Sequence, residues 1–258
     1  MAEAGVLPTR ILVVNDDGIN APGLKVLEKI AKSIADDVWV VAPETEQSGA
    51  GHSLTLTQPL RLRKLGRKRY ALTGSPTDCV LFAVSELMKD APPDLVLSGI
   101  NRGANVGDDV TYSGTIAGAM EATILDIPAI ALSQETNDEK IAHWPTTEAF
   151  APGIIRQLIE AGWSSDVLMN VNFPDCKPDE VSGVNVVAQG HRKAGYSILE
   201  MKDPRQITYY WIGQAVNREV RAGNTDYQAL ERREISITPL HMNLTHQGAL
   251  RSLKKFFP

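Results

Sequence analysis

Asn15, Asp16, Asp17 and Gly18 follow an apolar run over residues 11–14. Two adjacent carboxylates at the end of such a run are costly to keep ionised together unless a cation neutralises them. The chemistry this pattern points to is a divalent metal at the tip of a first strand. Asp and Gly also make plain turns after strands, so the reading depends on matching oxygen donors elsewhere. Ser48, in the loop after the next apolar run, and Asn101, at the end of a later one, supply a hydroxyl and an amide. With the carboxylates they form a hard donor set, suited to Mg²⁺, Mn²⁺ or Ca²⁺ rather than to zinc. His52 shares the Ser48 loop; a lone histidine there is expected to be a hydrogen-bonded neighbour outside the ligand set.

Ser113, Gly114 and Thr115 stand before a run of small residues with helical character. A helix start with free N–H groups, flanking hydroxyls and a glycine for close approach is a phosphate cradle. The same residues also describe an ordinary N-cap, with Gly118 and Ala119 packed on a strand, and the two readings share one geometry. A cation facing that helix start would hold a phosphoryl group from two sides, the arrangement for phosphate-ester hydrolysis. A second acidic pair, Asp108 and Asp109, is expected to be structural or to lie behind the ligands.

The elements that must carry these residues follow from apolar patterning. Residues 11–14 show no alternation, as in a strand covered on both faces. Pro22 opens a helix whose apolar positions, Leu24, Leu27, Ile30, Ala31 and Ile34, recur at helical spacing. A second strand over 38–42 completes a βαβ unit, with parallel strands and a right-handed crossover. Short strands are expected at 54–62 and 70–73, as a hairpin around Leu65 and Gly66. A helix capped by Ser75, with Pro76 and Asp78 in its first turn, comes next. Strands over 94–100, 129–133 and 167–173, and a helix over 146–161 stopped by Gly162, complete an α/β core with a mostly parallel sheet. Beyond residue 182 the texture changes. A strand over 184–188 leads to an aromatic hairpin over 190–213, which cannot easily bury itself alone and is expected to pack on a partner subunit or on the core. A helical stretch over 226–234, a strand over 235–240 and a basic helix over 247–257 end the chain. The division expected is a flexible leader over 1–9, a catalytic core over 10–182 and an extension over 183–258.

The net charge of −5 argues against a nucleic-acid polymer held on a broad basic face. The basic stretch over 61–69 reads as a solvated hairpin edge protected by positive charge. Two cysteines, Cys79 and Cys176, make neither a disulfide framework nor a zinc motif, and Cys79 reads as a small buried hydrophobe. No signal-peptide pattern and no apolar span long enough for a bilayer are seen, so no membrane partner and a cytoplasmic location are expected.

Together NDDGINAPG, PETEQSG, GSPTDC, SGINRGANVGDDVTYSGTIAGAMEA and the late ITPL resemble the SurE family, stationary-phase survival proteins that act as metal-dependent nucleotidases. The resemblance runs from about Ile11 onward. It implies a Rossmann-like three-layer core, a carboxy-terminal extension that exchanges between subunits of a homodimer or homotetramer, and hydrolysis of nucleoside 5′- and 3′-monophosphates, with polyphosphate as a further substrate. It also implies one divalent ion per subunit, Mg²⁺ or Mn²⁺, with Ca²⁺ able to take the site in crystals. The family's ligands fall on Asp16, Asp17, Ser48 and Asn101. Asn15, Gly49, Asn105, Ser113, Gly114 and Thr115 are the expected substrate and phosphate contacts. Asp16 and Asp17 are the expected catalytic pair, Asp16 also orienting or deprotonating the attacking water; an aspartyl-phosphate route through Asp16 stays open. Ser75 stands where the family often has threonine, and the leader is longer than usual. Two rival classes are a haloacid-dehalogenase-like phosphatase, which expects its aspartates separated by one residue, and a non-catalytic nucleotide-binding module. A dinucleotide oxidoreductase is disfavoured, since the first turn lacks G-x-G-x-x-G.

Overall fold

The computed structural model describes residues 7–137, 139, 141–191, 193–217 and 223–257. β1 (Arg10–Val14) passes through the acidic turn to α1 (Pro22–Lys32) and β2 (Asp37–Pro43). A hairpin of β3 (Leu62–Gly66) and β4 (Arg69–Leu72) precedes α2 (Pro76–Phe82), which a π-helical turn over Ala83–Leu87 extends. β5 (Leu95–Arg102), a 3-10 turn over Gly107–Thr111, α3 (Gly114–Ile124), β6 (Ala129–Gln134), α4 (Trp144–Ala161) and β7 (Val167–Phe173) follow. β8 (Gly183–Val186), β9 (Lys193–Lys202), β10 (Thr208–Asn217), α5 (Asp226–Glu231), β11 (Glu234–His241) and α6 (Gln247–Leu253) complete the described chain.

The main sheet has the order β3-β4-β2-β1-β5-β6-β7-β11-β8. Pairing is parallel from β4 through β7 and between β11 and β8, and antiparallel for β3 with β4 and β11 with β7. The expected α/β architecture is present, and β1 shows why an apolar run without alternation was needed. Ile11 and Val13 enter the apolar layer formed with α1 and α4, while Leu12 and Val14 enter the opposite layer with α2 and α3. From β1 the chain builds outward to β2 and then returns to place β5 on the other side. That reversal makes the carboxyl tips of β1 and β5 a topological switch point, the crevice where open α/β sheets bind ligands.

Several expectations take corrected bounds. No strand forms over 54–61. Thr55 gives its N–H and hydroxyl to the Asp78 carboxylate, at 3.0 and 2.6 Å, instead of to a neighbouring strand, and Pro59 has no donor to offer a ladder. The hairpin turns at Arg67 and Lys68. Its outer strand β3 is exposed throughout, as a charged edge should be, although Lys68 and Arg69 are held by Asp37 and Glu28. α5 ends at Glu231, before the expected stop, because β11 already begins at Glu234. β11 continues past Pro239, and β8 has by then ended opposite Ile237, so the missing N–H faces no partner strand. The terminal helix stops at Leu253.

Of the expected leader, residues 1–6 lie outside the described residues; Pro8 is buried and Thr9 donates its N–H and hydroxyl to Asp94, each at 2.8 Å. The Ser75 cap forms in full, its hydroxyl accepting from Asp78 N while the Asp78 carboxylate accepts from Ser75 N. Cys79 and Cys176 are both free and buried. Among the described residues β9 and β10 pair only with each other, as a ribbon separate from the main sheet. Among the described residues no helix is long and apolar enough to cross a membrane.

Candidate metal and phosphoryl site

After Val14 the chain turns sharply. Gly18 has φ +94°, a conformation costly for other residues, and its carbonyl accepts from Asn15 Nδ2 at 3.0 Å. The turn is sewn to the β2 loop by Gln47 N–H to Asp16 O and Ile19 N–H to Pro43 O, both 2.8 Å. It is joined to β5 by Arg102 N–H to Asp17 Oδ2 at 3.2 Å. The Ser48 loop is joined in turn to the 3-10 turn by Gly51 N–H to Tyr112 O at 3.1 Å. Hydrogen bonds from backbone N–H groups, one of them to a side-chain carboxylate, therefore hold four separate loops around one crevice.

Asp16 is the centre of this arrangement, with only 4% of its surface exposed. Its Oδ1 accepts from the Thr115 hydroxyl at 2.5 Å. Gly114 lies directly against it: a Cβ on Gly114 would stand 2.7 Å from Asp16 Cβ and 2.9 Å from Oδ2. Burial pushes the Asp16 carboxyl up to about 6; the Thr115 hydroxyl opposes that rise and the neighbouring Asp17 charge adds to it. Asp17 is also raised, first by burial, with the Arg102 N–H and guanidinium opposing and Glu46 adding to it. Two adjacent carboxylates, both made reluctant to ionise chiefly by burial, form a pair that a cation's charge would stabilise.

A cavity of about 550 Å³ opens beside Asp16, lined also by Ser48, Gly49, Asn101, Asn105 and Ser113. Asp17 faces a second cavity of about 480 Å³, with Glu46, Ala21, Pro22 and Trp144, and Arg102 lines both. The fold thus brings Asp16, Ser48 and Asn101 into one opening and turns Asp17 toward the other. Asn101 Nδ2 donates to Gly103 O at 2.8 Å, so its amide oxygen is the end suited to a cation. Ser48 Oγ donates to Glu46 at 2.8 Å.

Asn15, Gly114 and Thr115 stand behind Asp16 rather than in the cavity wall. Thr115 and Asn15 are fully buried, and Asn15 Oδ1 has no hydrogen-bond partner among the described residues. Ser113 caps α3, its Oγ accepting from Ile116 N at 3.0 Å, and Gly118 packs against Ser98 and Val14 as a close helix–strand approach requires. His52 pairs with Glu121 at 2.9 Å, outside the donor set as expected. Asp108 pairs with His191, while Asp109 lines the cavity.

The residues present fit a hard divalent cation. The side chains brought to the cavity supply carboxylate, hydroxyl and amide oxygens, the donors such an ion takes. Among the described residues no group of three His, Cys, Asp or Glu offers a rival metal site. Five cavity residues were not among those expected, Arg102, Gly103, Ala104, Tyr112 and Tyr196, and Asp109, expected to be structural or behind the ligands, lines the cavity as well. Arg102 and Tyr112 directly adjoin Asn101 and Ser113, a signal that was available. Tyr196 comes from the distant ribbon, and nothing local marks it.

A family model described as "Survival protein SurE" matches residues 11–196. The 5′-nucleotidase SurE of Paramagnetospirillum magneticum is 55% identical over 248 residues, covering 96% of this chain and 95% of that protein. The same-named protein of Caulobacter vibrioides is 53% identical over 249 residues, 95% of each. The crystal structure of the SurE protein from Aquifex aeolicus superposes with a TM-score of 0.83 at 37% identity, covering 96% of this chain and all of that one. Likeness on this scale, over nearly the whole length of each chain, leaves one conclusion: the chain belongs to the SurE family.

Proposed function

We propose that this chain is a divalent-metal-dependent 5′-nucleotidase that hydrolyses nucleoside monophosphates to nucleoside and inorganic phosphate. The observation that carries the reading is the buried Asp16 carboxylate, facing a cavity shared with Ser48, Asn101 and the capped start of α3. Relatives named as 5′-nucleotidases support the substrate class. A divalent cation, Mg²⁺ or Mn²⁺ at one per subunit, would be held by Asp16, Asp17, Ser48 and Asn101, and when bound it lends Lewis acidity to water and to phosphoryl oxygens.

This chain's own residues do the rest. Thr115 and Gly114 fix the position of Asp16, which orients the attacking water and takes its proton. The N-terminal end of α3 presents its dipole and N–H groups to the phosphoryl oxygens, with Ser113 and Gly49 on the cavity wall and Asn105 beside them. Water oxygen bonds to phosphorus, the phosphorus–5′-oxygen bond breaks, and the departing nucleoside oxygen takes up a proton. Phosphate release should be measured on a panel of 5′- and 3′-monophosphates and short polyphosphate, with several divalent ions and EDTA. Release from 5′-monophosphates, abolished by EDTA and restored by Mg²⁺ or Mn²⁺, is expected. Release that ignores EDTA, or none with any ion, overturns the reading.

The β9–β10 ribbon is assigned to subunit contact in a homodimer or homotetramer with exchanged carboxy-terminal segments. Ile198, Trp211 and Ile212 are 63, 61 and 73% exposed on it, and an apolar surface of this kind favours association. Trp211→Glu with Ile212→Asp is expected to lower the mass measured by light scattering; an unaltered mass contradicts the assignment.

A further inference from the structure

The proposed chemistry uses only part of the 550 Å³ cavity. Asp16, Ser48, Asn101, Gly49 and Ser113 account for the ion and the phosphoryl group. The remaining wall holds two aromatic rings brought together from far apart in sequence. Tyr112 ends the 3-10 turn, one residue before the Ser113 cap, and Tyr196 comes from β9 of the ribbon. Their ring centroids are 6.1 Å apart and their planes meet at 80°.

In this edge-to-face arrangement the two rings present surfaces of different orientation to the cavity. Tyr112 is 51% exposed and Tyr196 39% exposed, both on the cavity that also holds Asp16. The Tyr112 carbonyl accepts from Gly51 N–H at 3.1 Å, which ties this ring to the Ser48–Gly51 loop at the phosphoryl end. A cavity of this size holds a small ligand whole, and a ligand with its phosphate at α3 would reach these rings with its other end.

Resting on the nucleotidase reading, we infer that Tyr112 and Tyr196 form a stacking corner that seats the nucleobase. Every base has a π face, so such a corner accepts purines and pyrimidines alike, and removal of one stacking ring costs about 1–3 kcal/mol, or roughly tenfold and more in affinity. The ribbon thereby completes the substrate site besides exposing an apolar surface.

The test compares adenosine 5′-monophosphate with ribose 5-phosphate, the same ester without the base, in the full chain loaded with Mg²⁺ or Mn²⁺. In Tyr196→Ala the ratio of kcat/KM for the nucleotide over the sugar phosphate should fall about tenfold or more, chiefly through KM, and Tyr196→Phe should restore it. Tyr112→Ala should lower the same ratio and serves as the second variant if the first fails to fold. A ratio within about twofold of the parent's in an active Ala variant overturns the stacking corner alone, since a ring that merely braces the ribbon affects both esters equally. Absence of phosphate release from either ester in the parent chain overturns the nucleotidase reading and this inference with it.

Discussion

Asp16→Asn is expected to lower kcat for nucleotide hydrolysis on the order of 10³-fold, the scale seen when a preorganised charge-stabilising group is removed, with the circular dichroism spectrum retained. The amide has the same shape and still offers an oxygen to the Thr115 hydroxyl, so the bond that ties the β1 turn to α3 survives. What is lost is the charge that a cation needs and the proton acceptor that water needs. The same substitution should raise the melting temperature of EDTA-treated protein, because it removes a buried charge that lies beside Asp17. Each kcal/mol recovered is worth roughly 2–4 °C in a chain of this size. Added Mg²⁺ or Mn²⁺ should then stabilise the parent and not the variant. A variant with near-parental kcat would remove Asp16 from the mechanism.

Gly114→Ala is expected to cost about 10²-fold in kcat by displacing the carboxylate that residue 114 packs against. The added methyl would stand 2.7 Å from Asp16 Cβ and 2.9 Å from Oδ2, a separation that forces one of them to move. Misplacement of a reacting group by about 1 Å is enough for a loss of that size, and overpacking adds about 1–3 kcal/mol of destabilisation. Gly153→Ala is the control. It lies in α4 with nothing within 4 Å of its added carbon, so activity should persist and stability rise by about 0.5–1 kcal/mol. Steady-state kinetics and urea unfolding on the pair separate the displacement of Asp16 from any general effect of adding a methyl.

How far these features could be read from the sequence depended on whether local chemistry determined them. The two-sided burial of β1 follows from four apolar residues in a row, and the Ser75–Asp78 capping box and the Ser113 cap follow from hydroxyls placed just before helical patterns. His52 beside Glu121 was legible as a hydrogen-bonded neighbour because a lone histidine brings no companion ligands. The stretch over 54–61 misled because Leu54, Leu56 and their neighbours alternate like a strand, while the buried Asp78 carboxylate captures Thr55 from outside that pattern. The split of the two aspartates, Asp16 toward one cavity and Asp17 toward the other, depends on which loops close over the turn, and sequence does not show that. The same holds for Tyr196, which meets Tyr112 only because the ribbon folds back over the crevice. Thr115 was legible as a site residue but not in its observed place, since only the packing of α3 on β1 turns its hydroxyl onto Asp16.

In the proposed mechanism the buried Asp16 and half-buried Asp17 together hold a divalent cation on which phosphate release depends. Anomalous diffraction from crystals soaked in Mn²⁺ tests it most directly, read beside the activity of the same preparation with and without EDTA. A peak at the Asp16 carboxylate, within ligand distance of Ser48 or Asn101 and absent from Asp16→Asn crystals, is the predicted result. No peak at Asp16, together with phosphate release that EDTA leaves intact, would contradict the account.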